Sequence, residues 1–358
     1  MKIGILTYHR AENFGAAMQA YALQHYLNVE GYDAEIIDFR CKTVEMQYDI
    51  YNPRIVFSRK NVILSLSQYL SRFNTIHARL TRKRKFKEFQ KLLKKSKTVY
   101  RKQDIAEYDA LLVGSDQVWN FYINRNDENV YLLDFPVAEG CSKYAYAASS
   151  ERNGFLPISK AELCRCLNGF NRISVREGFI KEMIEGITDK DVVEVLDPSF
   201  LLEKDDYLKL SAPIKAKDYV LVYQMTYSSE MLSIAKEMAE KNNLQLIELY
   251  GGYNDIDDDT HISSWGPKEV LSYIANATMV FTTSFHGLVF SLIFEKDVWV
   301  FDKGNNYRQK NLLNKAGLSQ RLMSSVTECT SAHIDYELVN NRLKVFKQQS
   351  KVFLRLIK

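Results

Sequence analysis

The feature that most constrains this chain is a recurring short apolar run that stops at polar residues and is followed by helix-forming sequence. Ile3 to Tyr8 is the first such run. A polar loop with a glycine follows, Glu12-Asn13-Phe14-Gly15, and Ala16 to Val29 then carries strong helix formers, with Ala20, Leu23 and Leu27 at helical spacing. Gly31 stops that helix, and Ala34 to Phe39 makes the next apolar run. A strand, a helix and a strand in this order open a doubly wound domain. From Cys41 to Gln103 the sequence reads as helical and basic, without clear strands.

The runs then resume. Ala110 to Val113 ends at Gly114-Ser115-Asp116, and Lys143 to Ser149 ends in small residues. Arg172 to Val175 ends at Arg176-Glu177, and Val192 to Leu196 ends at Asp197-Pro198. Polar ends on apolar strands are expected where ligands bind at the carboxyl edge of a parallel sheet. Charge and Pro213 interrupt the pattern between about Leu202 and Lys217, after which it restarts. Tyr219 to Gln224 reads as strand, Glu230 to Lys241 as helix and Leu244 to Tyr250 as strand. The chain turns at Gly251-Gly252. Pro267 is placed as the first residue of a helix running to about Asn276. Met279 to Thr283 reads as strand, His286 to Phe294 as helix and Val298 to Phe301 as a last strand.

At 358 residues the chain suits two α/β domains better than one. The pattern predicts two Rossmann-like domains with a central cleft, the two-lobed architecture of GT-B glycosyltransferases. Residues 1–205 form the N-terminal domain, carrying a basic helical insertion at about 55–103. Residues 215–335 form the C-terminal domain, and 336–358 a helix packing across the lobes. Active sites of such proteins lie in the cleft. The first turn lacks G-x-G-x-x-G, so a dinucleotide is not implied.

No secretory leader or run of about 20 apolar residues is visible, so a cytoplasmic protein is expected. Five cysteines at irregular spacing fit a reducing compartment. Cys164-Arg165-Cys166 is C-x-C with no matching second pair, so no metal site is expected.

Five segments, in order, resemble the polysaccharide pyruvyl transferase family: Asn13 to Leu23, Gly114 to Asn120, Ser174-Val175-Arg176-Glu177, Leu196-Asp197-Pro198-Ser199 and Thr283-Ser284-Phe285-His286-Gly287. The resemblance runs from residue 1 to about 320. It implies transfer of a pyruvyl group from phosphoenolpyruvate to two hydroxyls of a sugar, in a cell-surface glycan or its lipid-linked precursor. The products are a cyclic ketal and phosphate. Phosphoenolpyruvate acts as donor substrate, and the chemistry requires no metal or organic cofactor.

These residues suit that chemistry unequally. His286 follows an apolar strand at the start of a helix, where an anion is favoured, and it can donate a proton. Ser284, Phe285 and Gly287 flank it as donor-binding candidates. Arg176 ends a strand and offers a planar fork for carboxylate or phosphate, its rival reading being an ion pair with Glu177. Some family members carry an arginine two residues before the histidine, where this chain has Ser284. Arg308, in Asn305-Asn306-Tyr307-Arg308, follows the last strand and is the candidate replacement. Asn13 and Gly15 lie in the first strand-helix turn, where glycine lets the backbone approach a ligand. Asp116 is a candidate base or sugar ligand, with helix capping as the alternative. Gln117 lies beside it. Trp119 offers a face for a sugar ring or simply packs in the core. His9 is a further candidate for the cleft.

The net charge of +4 conceals eleven Lys or Arg against one acid, Glu88, between Arg82 and Lys102. Phe86, Phe89 and Leu93 share one helical face there. Such a helix either docks on an anionic membrane, where lipid-linked acceptors sit, or packs its apolar stripe on the protein. No nucleic-acid module accompanies the charge. Two rival functions stay open: a GT-B glycosyltransferase using a nucleotide sugar, and a non-catalytic glycan-binding or assembly protein.

Overall fold

A computed structural model describes residues 1–48, 75–100, 105, 108–252, 257–301, 304, 307–323 and 333–357. The chain divides into two compact units. One comprises Met1–Glu45, Gln90–Leu202 and Asn341–Lys358, the other Met46–Phe89 and Glu203–Asn340.

In the first unit, among the described residues, β1 (Lys2–Leu6), β2 (Asp33–Phe39), β3 (Lys95–Tyr100), β4 (Ala110–Val113), β5 (Ser142–Ala148), β6 (Arg172–Val175) and β7 (Val192–Glu194) form one sheet. Their order is β3-β2-β1-β4-β5-β6-β7, and every pairing is parallel. β4 is buried along its whole length and β1 from Ile3 onward, as central parallel strands covered on both faces must be. The helix Phe14–Val29 links β1 to β2. Asn13 caps it by accepting the Ala16 N–H at 3.1 Å, and Gly31, at φ +92°, follows its end.

The strand order reverses between β1 and β4, which places the switch point of this sheet there. The loops leaving these two strands are knitted together. Thr7 Oγ1 donates to the Ser115 carbonyl at 3.3 Å and Tyr8 donates to the Gln117 carbonyl at 3.1 Å. Gln19 accepts the Ser115 N–H at 3.2 Å and donates to Thr7 Oγ1 at 2.8 Å. Gly114 is required here: its φ is +125°, and a Cβ would lie 2.0 Å from the Tyr146 carbonyl oxygen.

The second unit repeats the design. Its strands are β8 (Tyr219–Gln224), β9 (Gln245–Tyr250), β10 (His261–Ile262), β11 (Met279–Thr282), β12 (Asp297–Phe301) and β13 (Leu322–Met323). They lie in the order β10-β9-β8-β11-β12-β13, again all parallel. Val220, Val222, Phe281 and Trp299 pack under Met231, Ile234 and Ala235 of the helix Ser229–Lys241. The switch point lies between β8 and β11. Two Rossmann-like domains are therefore present, as the sequence predicts.

Three strands escape the sequence reading. β3 is an edge strand whose Lys95 and Lys97 break the apolar pattern, and β10 and β13 are two residues each, too short for any period. The basic helix also belongs elsewhere than expected. Residues 55–74 and 101–103 of the expected insertion lie outside the described residues. The helix Ile76–Gln90, however, docks in the second unit, not the N-terminal domain. Phe86 meets Trp265 at 6.0 Å between ring centres, and Arg82 bonds carbonyls of Tyr250, Gly251, Gly252 and Ser263. Phe86 and Phe89 are buried, so the apolar stripe packs on protein and leaves Arg84 and Lys87 exposed. No helix among the described residues is long and apolar enough to cross a membrane. The closing helix, Tyr336–Arg355, packs through Phe353 on Tyr146, and its Ser350 accepts the Leu196 N–H at 3.0 Å.

Gly114→Ala is expected to lower unfolding stability by about 2–4 kcal/mol. A urea midpoint equal to that of the parent protein would refute the tight approach to β5.

Candidate functional site

On the second sheet, β11 ends at Thr282, and Thr283-Ser284 leads into the helix Phe285–Ile293. Ser284 caps this helix by accepting the Gly287 N–H at 3.2 Å. A Cβ on Gly287 would lie 2.3 Å from Thr282 Oγ1 and 2.9 Å from the Tyr223 ring. Only glycine therefore lets the first turn lie directly on β8 and β11. Its observed role is close packing. Ser284 likewise acts as a cap, and its backbone N–H is held by Thr282 Oγ1 at 2.9 Å. Behind it Tyr223 is buried, which pushes its phenol well above the usual value and keeps it a neutral hydrogen-bonding group.

Three features meet at this turn. The helix N-terminus presents N–H groups and the positive end of its dipole. His286, in the first turn and 7% exposed, stands edge-on to Phe285 at 5.1 Å. The Arg308 guanidinium lies 5.8 Å over the same Phe285 ring. Gln309 donates to the Thr283 carbonyl at 3.2 Å, pinning the helix Tyr307–Ala316 to the loop. An imidazole, a guanidinium and a helix start thus surround one phenylalanine. Arg308, 24 residues after Ser284 in the chain, is brought to the same ring as His286.

The first sheet treats its candidates differently. Arg176 donates to Glu177 and Asp197, each at 2.7 Å, and to Ser149 Oγ at 2.7 Å. Its side chain is 3% exposed and both carboxylates less so. Burial opposes the charge, but the two carboxylates outweigh it and hold the guanidinium protonated beyond its usual range. A donor anion would have to compete with both, so the ion-pair reading prevails over donor binding. Asp197 also caps the short 3₁₀ helix Pro198–Leu201.

Trp119 is fully buried, gives its indole N–H to the Tyr131 carbonyl at 3.1 Å and packs on Phe155 and Phe170. It is a core residue and offers no face to a sugar. Asn13 and Gly15 lie at the start of the Phe14–Val29 helix, Asn13 as its cap. Gln117 holds Asn120 at 2.8 Å. Asp116 stands at the switch point in a left-handed conformation, φ 68°, partly exposed, with Oδ1 accepting the Gln117 N–H at 2.8 Å.

A further cluster gathers around His9, through two residues the sequence did not single out, Arg10 and Asp38. Asp38 accepts from His9 at 2.8 Å and from Arg10 at 2.7 and 2.8 Å. His9 is 1% exposed and also bonds the Thr7 carbonyl. Burial acts to raise the Asp38 carboxyl, yet these hydrogen bonds and charges hold it well below the carboxylate range. His9 and Arg10 lie in the loop that leaves β1 and Asp38 lies near the end of β2, so the pairing of these two strands, not any motif, brings them together.

Two outcomes are expected. Arg176→Met leaves Glu177 and Asp197 buried without their cation and should cost about 3–5 kcal/mol of stability by urea unfolding. An undiminished stability would dismiss the structural role. For Asp38, the depressed folded-state value means its contribution is complete above the unfolded value of about 4 and is lost as pH falls below it. The stability gap between the parent and Asp38→Asn should therefore narrow from about pH 4 downward; a gap independent of pH would contradict this.

The sequence model of the family described as polysaccharide pyruvyl transferase matches residues 13–304. No curated protein matched the chain. Among solved structures, UDP-GlcNAc 2-epimerase from Neisseria meningitidis is 10% identical, covering 99% of this chain and 94% of its own, with a TM-score of 0.49. The UDP-GlcNAc 2-epimerase of Methanocaldococcus jannaschii is 11% identical over 100% of this chain and 99% of its own, TM-score 0.48. The spinosyn rhamnosyltransferase SpnG is 11% identical over 99% and 95%, TM-score 0.39.

Proposed function

The chain belongs to the polysaccharide pyruvyl transferase family, and from that premise we propose that it moves the pyruvyl group of phosphoenolpyruvate onto two hydroxyls of a glycan sugar. The observation that carries this reading is the grouping of His286, Arg308 and a helix N-terminus around Phe285. Phosphoenolpyruvate bears a phosphate and a carboxylate on three carbons. The helix start and the Arg308 fork suit the two anionic groups. His286 delivers a proton to the methylene carbon, which becomes a methyl group and leaves the adjacent carbon electrophilic. One sugar hydroxyl adds there and phosphate departs with its bridging oxygen. A second hydroxyl then closes the ketal. Of the two hydroxyl protons, one replaces the proton His286 gave up and the other leaves with phosphate.

The acceptor is proposed to be a cell-surface glycan or its lipid-linked precursor. Exposed Arg84 and Lys87 offer a cationic face for peripheral contact with an anionic membrane.

Purified protein given phosphoenolpyruvate and a panel of bacterial surface glycans should release phosphate and produce a ketal methyl signal by proton NMR. His286→Ala should lower kcat about 10²–10⁴-fold, and Arg308→Gln should raise the KM for phosphoenolpyruvate by about tenfold or more. Absence of donor turnover across the panel, with thermal stabilisation by a nucleotide sugar and none by phosphoenolpyruvate, would replace this reading with glycosyl transfer.

A further inference from the structure

The His286 turn has a neighbour that is neither charged nor buried. The loop leaving β8 is tied to Thr283, just before the helix cap, because the N–H groups of Met225 and Thr226 donate to Thr283 Oγ1 at 3.1 and 3.3 Å. Met225 is 37% exposed and Tyr227 51%. The Tyr227 ring meets Tyr250, at the end of β9, at 6.2 Å and 77°. Among the described residues of this unit, the exposed aromatic side chains are Tyr227 and Tyr307, and Tyr307 opens the helix that carries Arg308. Exposed aromatic surface in this unit is thus gathered at the carboxyl edge of its sheet.

The backbone is shaped to hold this group. A Cβ on Gly251 would lie 2.8 Å from Met225 Sδ and 2.9 Å from its Cα, and one on Gly252 would lie 2.5 Å from the Tyr250 ring. Both glycines clear the space that Met225 and Tyr250 occupy. Beneath them Arg82, 2% exposed, donates to the carbonyls of Tyr250 at 3.0 Å, Gly251 at 2.9 Å, Gly252 at 3.1 Å and Ser263 at 3.0 Å. Its guanidinium stacks 4.0 Å from Trp265, whose N–H bonds the Tyr250 carbonyl at 3.0 Å. A buried cation used to fix a loop is an expensive construction, and it makes the rim rigid before anything binds.

We propose that Met225, Tyr227 and Tyr250 form a carbohydrate subsite that receives a pyranose ring of the acceptor beside the His286 turn. Two tyrosines near right angles offer an apolar face together with two hydroxyl groups. A pyranose has the matching surface: one face of C–H bonds ringed by hydroxyls. The three side chains named carry no carboxylate or ammonium, which suits a neutral sugar. This assignment rests on the pyruvyl-transfer reading for the sugar's identity as acceptor, but its test does not require turnover.

The probes are the methyl glycosides of glucose, galactose, mannose and N-acetylglucosamine, used with the full chain in saturation-transfer NMR, and phosphoenolpyruvate in thermal-shift titration. At least one glycoside should bind through its ring C–H protons. Tyr227→Ala should weaken it about tenfold or more while the phosphoenolpyruvate shift is unchanged, and Tyr227→Phe should retain most of the binding. Undiminished glycoside binding in Tyr227→Ala, or none in the parent protein, overturns the subsite while a normal phosphoenolpyruvate shift leaves the transfer reading standing. Uridine monophosphate displacing the glycoside in a Tyr227-dependent way overturns it in favour of a base platform. Tyr227-dependent glycoside binding without any phosphoenolpyruvate shift supports the subsite and sinks the transfer reading instead.

Discussion

A helix can offer its N-terminus to an anion only if its first turn is held firmly and its N–H groups stay accessible. In this chain the contact that meets the first condition is Gly287 lying on Thr282 and Tyr223. A side chain there would lift the turn off β8 and β11 by more than an ångström and carry His286 and Phe285 with it. Ser284 completes the seat from the other side, since its hydroxyl takes the Gly287 N–H. An arginine at position 284 would give a cation at the cost of this cap. On the proposed reading Arg308, on the next helix, supplies the cation and leaves this cap intact.

Arg176 and Arg308 show how environment sets the work of one residue type. Arg176 is enclosed with two carboxylates, so its charge is balanced internally and it fixes the ends of β6 and β7. Removing it would strand two buried anions, which is why its mutation reads as a fold defect. Arg308 lies over the Phe285 ring, near the start of the helix Tyr307–Ala316. Arg82 is a third case, a guanidinium that serves mostly as a peg for carbonyls.

The central strands were legible because a parallel strand covered on both faces must be largely apolar, and β4, β1 from Ile3 onward, β8 up to Tyr223 and β11 up to Phe281 are. Pro267 and the helix it opens were legible from local chemistry alone. What the sequence concealed was decided by distance along the chain. β3 reads as charged sequence because an edge strand tolerates lysines. The docking of Arg82 depends on Tyr250 and Ser263, some 170 to 180 residues away. Sequence alone could not choose between the two readings of Trp119 and of Arg176 for a related reason: residue type and strand-end position leave exposure open, and only packing reveals burial. The place of His286, after a strand end and in the first turn of a helix, was legible because both signals fall within five residues.

The carboxyl edge of the second sheet therefore carries two chemistries side by side. Fixed positive potential is concentrated at the Ser284–Gly287 turn and Arg308, where a small dianion gains most from backbone N–H groups already oriented. The neighbouring rim is neutral and aromatic, and gains from area and shape instead. On the proposed reading, a donor with high charge and little surface belongs with the first, and an uncharged ring with much surface and little field belongs with the second. Because Thr283 bonds the β8 loop on one side and precedes the Ser284 cap on the other, one residue sets the spacing between them. The separation of the two surfaces is thus fixed by the sheet itself, before any substrate arrives.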